Sequence, residues 1–369
     1  SAGAKRGATR LAERRGAADS VRRRKGVATL DELGDFDTII DVRSPAEFAD
    51  DHIPGAISCP VLDDAQRAEI GTLYKQVSPF VAKKLGAAYI SANIASHLRE
   101  RFLDRDKGWR PLIVCWRGGM RSGAMTTVFR SIGWNACQLD GGYKTFRSHV
   151  LDSLETLPGR FRFQLINGPT GSAKTRILQA VAARGGQVLD LEELACHKGS
   201  VLGRLPGQPQ PSQKWFETCI WHQLRAFDPA RPVFVEAESR KIGKVRLPEA
   251  LFTAMQAAGA WQIEAGLAER VAFLLRDYDY FTLDPASLKQ HLDTLRPLVG
   301  SEQLACWHEQ IDAQDFPALT ESLLRLHYDP LYARARQRDY AVAPSRSLTA
   351  HTLDAGDIAR LATLLMESA

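Results

Sequence analysis

Pro111-Leu112-Ile113-Val114-Cys115-Trp116-Arg117-Gly118-Gly119-Met120-Arg121-Ser122 runs from four apolar residues into a loop with two glycines, two arginines and one cysteine. A short apolar run that ends in chemistry-bearing residues reads as a buried parallel strand, and open α/β sheets place ligands at the carboxyl ends of such strands. A glycine-rich turn entering a helix wraps backbone N–H groups around the residue at its start, and the helix N-terminus adds a favourable field for an anion. The candidate catalytic residues are therefore Cys115 as nucleophile, with Arg117 and Arg121 holding an anionic group. Packing alone gives no reason to surround a thiol with two glycines and two arginines. Cys59, Cys137, Cys196, Cys219 and Cys306 read as structural. The six cysteines are scattered without a C-x-x-C pair, which implies a reducing, cytoplasmic setting and no zinc or disulfide framework.

A second strand-to-loop passage follows. Phe163-Gln164-Leu165-Ile166-Asn167 leads into Gly168-Pro169-Thr170-Gly171-Ser172-Ala173-Lys174-Thr175, the arrangement of a phosphate-binding P-loop. Gly168, Thr170, Gly171, Ser172, Lys174 and Thr175 are its candidate phosphate ligands, with Thr175 also suited to a metal ion. Ala173 stands where glycine is expected, and its methyl group is expected to tighten the approach to a phosphate. Another apolar run, Pro232-Val233-Phe234-Val235, ends in Glu236-Ala237-Glu238. Alternate residues of a continuing strand share a face, so Glu236 and Glu238 are candidate acids for Mg²⁺ or substrate. The long polar stretch from His197 to Gln213 is rich in glycine and proline and reads as a binding loop, with Gly199, Ser200, Gly203, Gln210, Ser212 and Gln213 as candidate substrate contacts.

These signals define an α/β protein: a parallel-sheet domain over residues 27–151, a P-loop α/β domain over 152–265, and a helical C-terminal region over 266–369. Residues 1–26 form a basic tail in which Lys5, Arg6, Arg10, Arg14, Arg15, Arg22, Arg23, Arg24 and Lys25 face only Glu13 and Asp19, so the net +5 of the chain comes from the tail. Such a tail reads as a disordered extension or an arm for an acidic partner; it lacks the apolar core of a secretory signal. With 44% hydrophobic and 25% charged residues, and no apolar window of membrane-spanning length, the chain reads as a soluble globular protein. Arg325, His327, Tyr328, Tyr332, Arg334, Arg336, Arg338 and Tyr340 interleave bases with aromatics, a pattern suited either to RNA contact or to a solvated helix face.

Asp41-Val42-Arg43 ahead of Pro45-Ala46-Glu47-Phe48, the His52-Ile53-Pro54-Gly55-Ala56 turn, the Cys115 loop and Leu139-Asp140-Gly141-Gly142-Tyr143 together resemble a rhodanese domain. That resemblance implies that Cys115 carries sulfur or selenium as a persulfide or selenosulfide. Cys115, Arg121 and Ser122 also spell the Cys-x5-Arg-Ser signature of cysteine phosphatases, with Val114 where those enzymes usually have histidine.

Gly71-Thr72-Leu73-Tyr74-Lys75-Gln76, Gln210-Pro211-Ser212-Gln213 and Val235-Glu236-Ala237-Glu238-Ser239-Arg240-Lys241-Ile242-Gly243, joined to these two loops, resemble the bacterial tRNA 2-selenouridine synthase family. The resemblance implies replacement of sulfur by selenium in wobble 2-thiouridine of tRNA, with selenophosphate as donor and an S-geranylated intermediate made from geranyl diphosphate. It implies these two co-substrates, Mg²⁺ as an added component, no tightly bound cofactor, and a selenophosphate-supplying enzyme as partner. Trp215, Phe216 and Trp221 are candidates to line a prenyl cavity. A small-molecule sulfurtransferase or a cysteine phosphatase fused to a kinase-like P-loop domain is the alternative, and it predicts turnover without RNA.

Overall fold

Apolar runs broken by glycine and proline turns build two parallel sheets. The computed structural model describes residues 26–198, 207–277, 284–340 and 345–368, and it divides into two compact units, Ser1–Asp152 and Ser153–Ala369. The basic tail, apart from Gly26, lies outside the described residues.

The first unit is a five-stranded, wholly parallel sheet of β1 (Val27–Ala28), β2 (Thr38–Asp41), β3 (Ile57–Ser58), β4 (Pro111–Val114) and β5 (Cys137–Leu139), in the order β1-β5-β4-β2-β3. All four residues of the central β4 are buried, as expected for a strand covered on both faces. Helix Met120–Ile132 packs Met125 and Phe129 against Ile40, Ile113 and Trp109. Ser44 starts helix Pro45–Asp50 with a capping box to Glu47, and Pro45 fits the first turn because it has no N–H to leave unpaired. Helices Asp64–Gln76 and Pro79–His97 form an antiparallel hairpin. The close approach of Ile70 to Gly86 and the Tyr89 to Glu69 hydrogen bond of 2.9 Å fix its register.

In the second unit β6 (Phe163–Asn167) is the centre of another all-parallel sheet, joined by β7 (Gln187–Leu189), β8 (Val233–Glu236), β11 (Gly259–Glu264) and β12 (Ser345–Thr349) in the order β12-β11-β6-β8-β7. A small antiparallel pair, β9 (Lys241–Ile242) and β10 (Val245–Arg246), follows β8. The region after residue 265 is not helical throughout: β12 pairs with β11, and helix Ala355–Glu367 packs Leu361, Ala362 and Leu365 into the same core as Ile166 and Ile177. The intervening helices form their own apolar cluster around Trp307, Leu292 and Leu304. Among the described residues, no helix is long and apolar enough to cross a membrane.

Candidate functional site

In the first unit, β4 delivers Cys115 to the carboxyl edge of the sheet, as the sequence predicts. Its Sγ accepts from the Gly119 N–H at 3.2 Å and lies 3.1 Å from the Ser122 hydroxyl at the start of the next helix. The loop is held from behind by backbone: the Tyr143 and Lys144 N–H groups donate to the Cys115 and Trp116 carbonyls at 2.8 and 3.0 Å. Gly142 has φ +61°, and a methyl group there would meet the Cys115 carbonyl oxygen and the Gly118 nitrogen. Gly142 thus serves close backbone approach, while a methyl group at Gly141, with φ +67°, would meet the Thr145 side chain.

Arg43 is 1% exposed, makes a two-pronged bond to Asp41, and donates to the Asp51 carbonyl at 2.6 Å. Its guanidinium lies 3.8 Å over the Tyr143 ring, while the Tyr143 hydroxyl donates to Asp51 at 2.7 Å. Burial, and then that bond to a carboxylate, push the Tyr143 hydroxyl far above its ordinary range. Asp41, Arg43, Asp51 and Tyr143 therefore form one buried polar network under the cysteine loop. Arg117 is exposed, whereas Arg121 donates to Glu47 at 2.8 Å and is tied to the capping box of the neighbouring helix. Of the two arginines expected to hold an anion, Arg121 is committed to this carboxylate and Arg117 is open. Ser122 and Glu47, beside Sγ and Arg121 respectively, join the site although sequence alone gives neither a role there.

In the second unit the P-loop lines a cavity of about 420 Å³. Gly168 and Gly171 are required by crowding: a methyl group at Gly168 would meet Ser172 Oγ and the Ile263 carbonyl, and one at Gly171, with φ +84°, would meet Leu274. Ala173 takes φ +56° as the residue before helix Lys174–Ala183, and it is buried in the core with Ile166 and Ile177. Its methyl group packs into the core, which bears on the expectation that it would crowd a phosphate. Lys174 Nζ donates to the Gly168 carbonyl at 3.1 Å. Arg270 donates to the Thr170 carbonyl at 2.8 Å and pairs with Asp329 at 2.6 Å, bracing the loop against helix Asp329–Tyr340.

Thr175 Oγ1 donates to Glu236 at 2.6 Å and lies 3.3 Å from Glu192. Oxygens of Glu192, Glu236 and Glu238 all lie within 4.8 Å of one another. Burial, and then the Glu236 charge, push Glu238 up to about 7 and Glu192 well above the usual carboxylate range. Burial also raises Asp190 to about 6. Three converging carboxylates beside a P-loop threonine form an all-oxygen donor set suited to a hard divalent cation such as Mg²⁺, and a bound cation would relieve their repulsion. Glu236 and Glu238 converge, but not by a continuing strand: β8 ends at Glu236 and the chain turns there, the Glu238 N–H donating to the Glu236 carbonyl at 2.9 Å. Glu192 was missed; it follows β7, which comes near only because β7 lies beside β8.

Phe273, Leu274, Tyr328 and Leu331 add apolar lining to the same cavity, with Leu274 beside Gly171 of the loop. Tyr332 donates to Asn167 at 2.8 Å. The aromatics proposed for RNA thus face inward: Tyr328 and Tyr332 line the cavity, and Tyr340, 7% exposed, donates to the Glu238 carbonyl. Phe216 and Trp221 are fully packed and Trp215 does not line the cavity, so none of the three aromatics expected to line a prenyl cavity is found in it. Gly199, Ser200 and Gly203 lie outside the described residues. The other expected substrate contacts are structural. Gln210 bonds the Ala195 and Ile242 carbonyls and the Lys244 N–H, Ser212 caps helix Gln213–Ala226, and Gln213 pairs with the Arg246 backbone.

Two family models match the chain: a rhodanese-like domain over residues 26–149, and the tRNA 2-selenouridine synthase AAA domain over residues 161–291. The chain is 30% identical over 345 residues to the tRNA 2-selenouridine synthase of Cupriavidus pinatubonensis, covering 84% of this chain and 93% of that one. The chain belongs to the tRNA 2-selenouridine synthase family. It is also 36% identical over 258 residues to the Nitrosomonas europaea synthase, an alignment that covers 69% of this chain and 66% of that relative. In this synthase family chain, the Cys115 loop falls within the rhodanese-like match and the P-loop cavity begins within the AAA match.

Proposed function

We propose that the chain replaces sulfur by selenium in 2-thiouridine at the wobble position of tRNA, through an S-geranylated intermediate. The observation that carries this reading is the composition of the P-loop cavity, with phosphate-binding residues Lys174 and Thr175 and apolar lining from Phe273, Leu274, Tyr328 and Leu331. A prenyl diphosphate has both characters in one molecule. In the first step the thiocarbonyl sulfur attacks C1 of geranyl diphosphate; the C–S bond forms, the C–O bond breaks, diphosphate leaves, and the N3 proton of the base passes to the released diphosphate. Lys174 and the loop N–H groups meet the departing charge. A cation held by Glu192, Glu236 and Glu238 would add to that neutralisation.

Alkylation makes sulfur a better leaving group. Hydrolysis of the P–Se bond of selenophosphate yields phosphate and hydroselenide. Hydroselenide adds to C2 of the base, its proton passes to the ring nitrogen, and geranylthiolate departs. We assign selenium handling to the Cys115 loop, whose Sγ accepts from the Gly119 N–H and lies beside the Ser122 hydroxyl. We assign the donor's phosphate to Arg117, which is exposed.

The test is mass spectrometry of nucleosides from thiolated tRNA incubated with geranyl diphosphate, selenophosphate or both. Wild type is expected to give geranylated and then selenium-containing uridine. Lys174→Ala is expected to lose the first product, and Cys115→Ala to keep the first and lose the second. Unchanged 2-thiouridine throughout, beside an active control enzyme, would overturn the reading.

A further inference from the structure

The Gly71-Thr72-Leu73-Tyr74-Lys75-Gln76 motif has no part in either site. It lies in the hairpin of Asp64–Gln76 and Pro79–His97, whose base is well anchored. Asn93 donates to the Val61 carbonyl at 3.0 Å, His97 lies 2.9 Å from the Pro60 carbonyl, and Arg101 donates to the Ser58 carbonyl at 2.8 Å. The tip presents apolar side chains to solvent: Tyr74 is 53%, Val77 66% and Phe80 67% exposed. Such a cluster on a rigid hairpin marks an interaction surface. Its charge identifies the partner. From Ile70 to Arg99 the sequence holds no Asp or Glu, while Lys75, Lys83, Lys84 and Arg99 are all exposed. Lys84 Nζ lies 5.1 Å from the Phe80 ring centroid, so cation and aromatic share one patch.

We propose that this hairpin tip binds the tRNA substrate, with Tyr74 and Phe80 stacking on unpaired bases and Lys75, Lys83 and Lys84 contacting phosphates. Exposed rings flanked by lysines in a stretch without Asp or Glu are the combination that single-stranded nucleic acid recognises; an acidic protein would use the lysines but not the rings. The proposal rests on the reading that the chain acts on tRNA, and it gives recognition of RNA to residues that belong to neither chemical site.

The test measures tRNA affinity of the full chain by fluorescence anisotropy across a salt series, with wild type, Phe80→Ala, and Lys83→Gln combined with Lys84→Gln. Phe80→Ala is expected to weaken binding at least about fivefold, the lower end for loss of one stacked base. The lysine pair is expected to lower the slope of log K against log salt by about 1.4, at roughly 0.7 per phosphate contact. Geranylation at saturating tRNA is expected to be unchanged in both variants. Wild-type affinity and slope in both variants, with wild type binding tRNA, would overturn the proposal. So would loss of a dimer in sedimentation of Phe80→Ala with unchanged tRNA affinity, since the tip would then be a self-association surface. No tRNA binding by wild type would overturn the proposed function itself.

Discussion

Two left-handed residues carry opposite consequences for their loops. Gly142 at φ +61° has backbone of the Cys115 loop where a side chain would go. Gly142→Ala adds a left-handed penalty of about 1–2 kcal/mol and a clash with the Cys115 carbonyl that rigid backbone cannot avoid. The expected outcome is destabilisation of the first unit by at least about 2 kcal/mol in urea titration, with selenium transfer lost and prenylation retained. Ala173 at φ +56° is the reverse case. Ala173→Gly relieves a strain of about 1 kcal/mol and removes a buried methyl group worth about 0.8 kcal/mol, so the two nearly cancel. Denaturation is expected to place the variant within about 1 kcal/mol of wild type, and calorimetry to show diphosphate affinity changed less than about threefold. A large gain in affinity would mean that the methyl group obstructs the phosphate after all. Sequence alone identifies the residue at fault in the P-loop pattern but not the direction of its side chain, which is set by the core formed from Ile166, Ile177 and Leu361.

Among the elements, the terminal helix Ala355–Glu367 depends on one carboxylate. Asp357 accepts from the His351, Thr352 and Leu353 N–H groups at 2.6, 3.0 and 3.1 Å and pairs with Arg360. Burial alone would raise its carboxyl, but these donors outweigh that and hold it at about 2. A depressed carboxyl stabilises the fold fully above its unfolded value near 4. The contribution, about 2 kcal/mol, is lost as pH falls from about 4 through about 2. Asp357→Asn is therefore expected to lower stability at pH 7 and to flatten the acid limb of the stability curve, as followed by circular dichroism. An unchanged acid limb would remove Asp357 from the account. The strand that leads into these donors was poorly legible. The strand Ser345–Thr349 carries Arg346 and Ser347 among its five residues and has no apolar run to announce it. By contrast, β4, β6 and β8 are short apolar runs ending in Cys115, Gly168 and Glu236, and each is legible because the chemistry follows the strand directly in sequence.

At the scale of the whole molecule, what sequence could not supply is distance between segments. Glu192 joins Glu236 and Glu238 only through the placement of β7 beside β8, and Phe273, Leu274 and Tyr328 reach the P-loop only because their helices fold over it. Read along the chain they are ordinary amphipathic positions, whereas Gln210 and Gln213, conspicuous in a polar stretch, turn out to tie backbone together. The division into two units, each with its own sheet and apolar core, sets the form of the response to perturbation. Geranyl diphosphate at a hundred times its Kd is expected to stabilise the unit that binds it by about 2.7 kcal/mol. Arg43→Ala leaves Asp41 buried without its partner and is expected to cost the first unit about 3–5 kcal/mol. Hydrogen exchange read by mass spectrometry separates the two effects. Added protection is expected only in peptides from residues 153–369, and lost protection in Arg43→Ala only in peptides from residues 26–152. Protection that rises or falls across both sets together would mean that the two cores open as a single cooperative body, and the loops would then have to be treated as parts of one unit.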